Sequence, residues 1–500
     1  MIMSKKQAAR TKAKHAGQVF TPNFMVEAML DYCGYRGELV LKKHVIDNSC
    51  GDGAFLKAVV QTYILAAKAQ GMGQEEIKHH LATYVHGVDN DKEAYLSCKE
   101  NLCHVAAEHG IDHVEWDLRH ADALSLHDFD GRMDYVLGNP PYVRVHNLDT
   151  SYEDVKRFSF ANGGMTDLYL AFFELGFRML SADGQLCYIT PSSWLNSLAA
   201  HNMRQHVLAH RMLVSLTDLG HFQAFDNVTA YTLISHFSKQ HTQTQFEYYI
   251  YNGDARQRAF VANLSLEEVY IDGHFYLGDL AQLDMVRRVK TSTVPRYVSV
   301  KNGFATLADS VFIGDNVPQS PFTIKAIKAS TGKWQKCLFP YDKAGKPLSE
   351  SHVFAHQAVK TYLEANKEAL LKGKTAYPGW YLFGRSQALA DVWRPKLAVN
   401  TLVRNAGDFK LNDVAAGEGI YSGLYISLNC DVSFDLIKRI VASNTLVEYV
   451  KTLRKYKSGG YYTFNSKDLE QFINYQISII DGKEYRVKQR VPYSYPDLFQ

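Results

Sequence analysis

The sharpest chemistry in this sequence sits in four consecutive residues, Asn139-Pro140-Pro141-Tyr142. They follow an apolar run, Met133 to Leu137, that reads as a β-strand. The two prolines fix the backbone just beyond it. The Asn139 side-chain oxygen and the Pro140 carbonyl can accept the two hydrogens of one exocyclic amine. Tyr142 can stack on the ring that carries the amine. An aromatic amine is a poor nucleophile because its lone pair is delocalised into the ring. Two acceptors on its hydrogens favour a pyramidal nitrogen with the lone pair available for in-line attack. The bland alternative is a proline-rich turn with a buried Asn. The strand before it and a Gly-rich turn upstream weigh against that.

That upstream turn is Asp47-Asn48-Ser49-Cys50-Gly51-Asp52-Gly53, between a short apolar strand (Val45 to Asp47) and a helical stretch (Phe55 to Ala69). The carboxyl end of a parallel strand is where nucleotide-like ligands bind, and Gly51 and Gly53 allow close backbone approach. A pyrophosphate fingerprint would need Gly at position 56, which is Leu56, so a dinucleotide is disfavoured. Walker A fails too, because Glu368 stands where Gly373-Lys374-Thr375 would need its first Gly. A plain tight turn stays open. Asp89 ends a second strand (Tyr84 to Val88) and can accept the hydroxyls of a ribose, or cap the helix that starts near Asp91. Asp122 can accept from an adenine amino group or cap a turn. In Gly17-Gln18-Val19-Phe20-Thr21-Pro22, Thr21 reads as a helix N-cap with Pro22 at the first helical position. Its hydroxyl can also meet a carboxylate there.

The elements that must hold these residues alternate. Helices are expected at Phe24 to Tyr32, Asp91 to Glu108 and Asp167 to Leu180, and further strands at Leu186 to Thr190, Val214 to Leu219 and Ala230 to Phe237. This is the pattern of a doubly wound α/β sheet, with an antiparallel end expected near Ala230 to Phe237. Beyond about residue 280 short β-like runs (Tyr297 to Val300, Lys396 to Val403, Ile420 to Ser427) sit among polar turns. Helices return at Phe434 to Leu453 and Ser466 to Asn474. We expect a basic arm over 1–16, a catalytic domain over 17–270 and a mixed α+β domain over 271–500.

Composition narrows the class. The chain has 500 residues, 46% hydrophobic and 21% charged, which excludes global disorder. A net charge of +3 excludes a histone-like or strongly acidic protein, but not an enzyme with basic residues on one face. Seven scattered Cys without CxxC pairs point to free thiols in a reducing compartment. No apolar run reaches membrane-spanning length, and no secretory leader is read at the N-terminus. A cytoplasmic protein without a membrane partner is expected.

The order of motifs resembles the γ-class N6-adenine DNA methyltransferases of bacterial restriction–modification systems: GQVFTP, then DNSCGDG, GVD, AD and NPPY, then a long C-terminal region opening near Val300-Lys301-Asn302-Gly303-Phe304-Ala305-Thr306. The resemblance covers residues 17 to about 240. It implies a Rossmann-like S-adenosylmethionine-dependent methyltransferase domain followed by a target-recognition domain. It implies that Thr21 holds the cofactor's methionine carboxylate, and that Asp47, Cys50, Gly51 and Gly53 line its methionine end. Asp89 would bind its ribose and Asp122 its adenine amino group. Asn139, Pro140 and Tyr142 would hold the target adenine, with Phe225 packing the base's other side; the alternative for Phe225 is a core position before a strand. Asn48 departs from the family, where Pro is common.

The implied activity is site-specific methylation of an adenine extruded from duplex DNA. The enzyme would act as a monomer, with no metal, and a cognate endonuclease would be a genetic rather than a physical partner. NPPY also occurs in RNA and protein-glutamine methyltransferases; a modification subunit needing a specificity partner is the other alternative. Basic residues in 451–457 and the aromatic stretch Trp380 to Arg385 are candidate DNA contacts, against solvated-face and core readings respectively.

Overall fold

The computed structural model describes residues 21–145, 152–163, 166–225, 230–372 and 379–480. The expected basic arm and Gly17 to Phe20 lie outside them, as do Asp226 to Thr229. The chain divides into two compact units, Met1–Leu283 and Asp284–Gln500. The division falls after the expected boundary at 270, because the short strands Tyr270–Ile271 and His274–Phe275 pair with each other inside the first unit.

The first unit is built on a nine-stranded sheet. In chain order its strands are β1 (Val45–Asp47), β2 (Val85–Asp89), β3 (Asp117–His120), β4 (Met133–Gly138), β5 (Leu180–Pro191), β6 (Leu213–Asp218), β7 (Thr232–Ser238), β8 (Gln245–Asn252) and β9 (Gln257–Ser265). They lie in the order 3-2-1-4-5-7-6-8-9. Strands β1 to β5 pair in parallel. β7 runs antiparallel to both β5 and β6, giving the antiparallel end expected from the sequence. All residues of β1, β2 and β7 are buried, as strands covered on both faces must be. The order 3-2-1 followed by 4-5 puts a topological switch between β1 and β4, where ligands of open α/β sheets bind.

Helices supply the cover. Ala54–Ala69 buries Phe55, Leu56, Val59, Val60, Tyr63 and Ile64, one face of a 3.6-residue period. Leu168–Met179 is apolar almost all round, and nine of its twelve residues are buried. Gly176 allows its close approach to β5, since a Cβ there would lie 2.5 Å from Leu186 Cδ1.

The second unit is mixed α+β, as expected. Val298–Asn302, Leu424–Leu428, Lys396–Val399 and Leu411–Val414 form an antiparallel sheet in that order. Lys333–Leu338, Thr323–Lys328 and Gly419–Tyr421 form a second. Helices Phe434–Val441, Asn444–Thr452 and Ser466–Ile479 follow. Two expected runs break. Ile420 to Ser427 divides at Ser422, which takes φ 52°, so that its halves join different sheets. Phe434 to Leu453 is two helices, because the Ser443 hydroxyl caps the second by accepting from Leu446 N–H. Among the described residues no helix is long and apolar enough to cross a membrane.

Candidate active site

β1 and β4 are neighbours in register, Val45 beside Tyr135 and Ile46 beside Val136. The Gly-rich turn leaving β1 and the Asn-Pro-Pro-Tyr segment leaving β4 therefore emerge side by side. The approach is tight at one point. Gly138 takes φ +154°, and a Cβ on it would lie 2.8 Å from Asp47 Oδ1. Any side chain at position 138 would press into the Asp47 carboxylate.

Asp47 is 2% exposed. Its Oδ1 accepts from Ser49 N–H at 3.0 Å. Burial pushes its carboxyl up to about 7, and the nearby Asp89 and Asp52 add to the shift. A buried acid without a cation beside it among the described residues suits a ligand that brings positive charge. Ser49 Oγ, also buried, has no hydrogen-bond partner among the described residues. Gly51 and Gly53 take positive φ, 54° and 85°, conformations that glycine adopts without strain.

Asp89 joins the same turn. Its Oδ2 accepts from Gly51 N–H and its Oδ1 from Asp91 N–H, both at 2.8 Å. Burial nevertheless raises its pKa. The helix-cap alternative falls to its neighbour instead: Asp91 caps Lys92–Glu108 by accepting from Glu93 and Ala94 N–H. Asp122 is exposed, and it caps the short helical turn Ala123–Ser125 through Leu124 N–H. It follows Ala121, whose N–H donates to Asp89 O. Cys50 turns inward: its buried thiol is raised by a hydrogen bond with Cys98 and by burial, so only its backbone remains at the turn.

Thr21 is not the helix cap. Pro22 occupies that position for Asn23–Tyr32, without a side-chain cap. The Thr21 hydroxyl instead accepts from Asn139 Nδ2 at 3.1 Å. Pro140 is buried, and Tyr142 donates its hydroxyl to Ile189 O at 3.0 Å, which anchors the ring to β5. Phe225 is 5% exposed and stands edge-on to Tyr142, with ring centroids 6.2 Å apart at 76°. It packs in the core cluster that includes Ile189 and Leu219, so the core alternative describes its present surroundings. Asn48, which the sequence marked only as a departure, holds the turn to β5: its Oδ1 accepts from the Tyr188 hydroxyl at 2.9 Å. No spacing rule pairs residues so far apart.

Residues 77–225 match the family of the Eco57I restriction-modification methylase. That stretch resembles an Eco57I-like restriction-modification methylase domain. The match contains Asp89, Asp122, Asn139, Tyr142 and Phe225, and Thr21 and the Gly-rich turn lie upstream of it. The chain is 27% identical over 230 residues to the type II methyltransferase M.BstVI of Geobacillus stearothermophilus, covering 44% of this chain and 41% of that protein. It is 23% identical to the type II methyltransferase M.PaeR7I of Pseudomonas aeruginosa, over 94% of this chain and 88% of the relative. Among solved structures it resembles the type IIL restriction-modification enzyme MmeI in complex with DNA, with a TM-score of 0.60, 14% identity and coverage of 89% of this chain and 63% of that one. The matched stretches thus span less than half of M.BstVI and less than two thirds of MmeI. The first unit has its Asn-Pro-Pro-Tyr segment and its Gly-rich turn at one sheet edge, as the motif order implied.

The two candidate DNA contacts in the second unit look different in three dimensions. Lys451 pairs with Glu448 at 3.0 Å, and Lys455 with the buried Asp468 at 2.6 Å. Asp468 also holds Lys290 at 2.7 Å. Tyr381, Leu382 and Phe383 are buried in a core cluster, as the core reading had it.

Proposed function

We propose that the chain is a site-specific DNA adenine N6-methyltransferase that uses S-adenosylmethionine and acts on an adenine extruded from duplex DNA. The single observation that carries this is the meeting of Asn139-Pro140-Pro141-Tyr142 with the Asp47 turn at the β1–β4 switch, inside a chain that matches a restriction-modification methylase family. The residues suit the cofactor: an acid with no cation beside it and a Ser49 hydroxyl with no partner among the described residues, together with two positive-φ glycines, form a cradle for its charged methionine end. When bound, S-adenosylmethionine supplies an activated methyl group.

This chain's own residues do the rest. Asp47 offsets positive charge, Asp89 has lone pairs left for ribose hydroxyls, and Asp122 lies beyond the same strand edge. The Asn139 oxygen and the Pro140 carbonyl accept the two hydrogens of the target amine and hold its lone pair in line. Positioning of this kind can supply much of the acceleration. Tyr142 and Phe225 offset part of the lost stacking. Their present edge-on geometry has no room for a base between the faces, so one ring must turn on substrate entry. The second unit would recognise the DNA site. The protein would work as a monomer in the bacterial cytoplasm, protecting DNA from a cognate endonuclease.

The test is modification-sensitive sequencing of DNA from a methylation-deficient bacterial host expressing this chain alone. N6-methyladenine confined to one short motif is expected. Unmodified adenine, with the protein folded and binding S-adenosylmethionine, would overturn the reading in favour of an RNA or protein substrate or a missing specificity subunit.

A further inference from the structure

We propose that the two-stranded ribbon Thr323–Lys328 and Lys333–Leu338 in the second unit contacts the phosphate backbone of duplex DNA; this rests on the DNA-methyltransferase reading above. The ribbon's register sets Lys325 directly opposite Lys336, and Lys328 directly opposite Lys333. Like charges in directly opposed pairs destabilise a ribbon unless something anionic lies against them. Among the described residues no carboxylate forms an ion pair with any of these four lysines. Elsewhere in the unit Lys290, Lys301, Lys438, Lys451 and Lys455 are all paired with carboxylates. The second unit thus neutralises many of its lysines and leaves two opposed pairs bare among the described residues, Lys325–Lys336 on one face of the hairpin and Lys328–Lys333 on the other.

Protection of a sheet edge does not account for this. Lysines on an edge strand discourage pairing with another chain, and Lys333–Leu338 is an edge strand. Lys325 and Lys328, however, lie on the middle strand of the three, between Lys333–Leu338 and Gly419–Tyr421. They guard no edge. More positive charge gathers at the ribbon's turn, where Lys410 Nζ donates to Thr331 O at 3.4 Å. Trp334, 38% exposed, lies on the same ribbon face as Lys325 and Lys336 and offers an aromatic surface beside them. Paired cations and an exposed aromatic surface suit a polyanion with regularly spaced charges. The run 451–457 is the weaker candidate, because carboxylates of this chain already hold Lys451 and Lys455.

The test compares the full chain with K325Q/K328Q/K333Q/K336Q and with the charge-conserving K325R/K336R, by fluorescence anisotropy on a labelled duplex of mixed sequence across a KCl series. Each phosphate contact contributes about −0.9 to the slope of log K against log salt. Lys325 and Lys336 share Trp334's face, and Lys328 and Lys333 lie on the other. The quadruple variant should therefore lose about 2 units of slope, the share of the pair on Trp334's face, and bind roughly tenfold more weakly at low salt, while its affinity for S-adenosylmethionine stays unchanged. It should also unfold at higher urea, since two repulsive pairs are gone, so lost DNA binding would come with gained stability. K325R/K336R should keep the wild-type slope. An unchanged slope in the quadruple variant, or a slope lost equally in K325R/K336R, overturns the ribbon assignment and leaves the function standing. A wild-type chain that binds no duplex at any salt overturns the function and the ribbon together.

Discussion

The Asn139 amide nitrogen donates to the Thr21 hydroxyl across 3.1 Å, joining two residues 118 positions apart in the chain. In this geometry the amide turns its nitrogen toward Thr21. Its nitrogen is held by Thr21, so its oxygen is the end presented elsewhere, as an acceptor for an amine must be. Thr21 thus holds the Asn-Pro-Pro-Tyr segment, besides the cofactor role that the family resemblance implied for it.

Replacing Asn139 by Ala should abolish methyl transfer while S-adenosylmethionine still binds, measured by isothermal titration. Equal loss of both would remove Asn139 from the target amine. Thr21→Val leaves the Asn139 nitrogen without this acceptor, a loss of about 1–3 kcal/mol. A fall in kcat of about one to two orders of magnitude is expected, with Thr21→Ser restoring it. If Ser and Val behave alike, the hydroxyl does not orient the amide.

Asp47 sets a pH dependence. Its folded pKa is raised from 3.8 to about 7, chiefly by burial. The folded state therefore binds the proton more tightly than the unfolded chain. The stability it contributes is full below the unfolded value and is lost as pH rises through about 7. Urea unfolding of the free protein should show this loss between pH 4 and 7, and Asp47→Asn should remove it. A bound cation favours the carboxylate, so affinity for S-adenosylmethionine should rise with pH up to about 7 and proton release should accompany binding below it. Titrations in buffers of different ionisation enthalpy measure that proton. Identical enthalpies in all buffers, for wild type and Asp47→Asn alike, would take Asp47 out of the cofactor site.

Phe225 separates base holding from core packing. Phe225→Leu keeps the buried volume near wild type, so the urea midpoint should shift little. The stacking face is gone, at about 1–3 kcal/mol per stacked base. KM for duplex DNA should rise roughly tenfold, and most of the loss should vanish when the target adenine lies opposite an abasic site, which already lacks its pairing partner. A loss independent of the opposing nucleotide would leave Phe225 as core alone.

The α/β plan was legible because its signals are local. A short apolar strand, a Gly-rich turn and an apolar helix stripe are periodicities within about twenty residues, and β1, β4 and the helix Ala54–Ala69 appear where those periodicities put them. Helix starts were less legible. Thr21 and Asp89 have the residue types of caps, yet a polar oxygen takes the best donor in space rather than in sequence: Asn139 for one, Gly51 for the other. The second unit was least legible. A run of charge such as Lys451 to Lys457 says nothing about which carboxylate will fold against it, and Asp468 was that carboxylate.

The chain's residues alone determined the chemistry on offer: two acceptors and a ring beyond one strand, glycines and an acid beyond another. Those choices follow from what each residue type can donate, accept or tolerate in φ. Only the tertiary structure decided that the two sets meet, because strand order 3-2-1-4-5 depends on how buried faces pack and not on any single segment. It also decided which cations remain unpaired. Charge pairing acts over a few ångströms in space, between residues such as Lys290 and Asp468 that lie far apart along the chain.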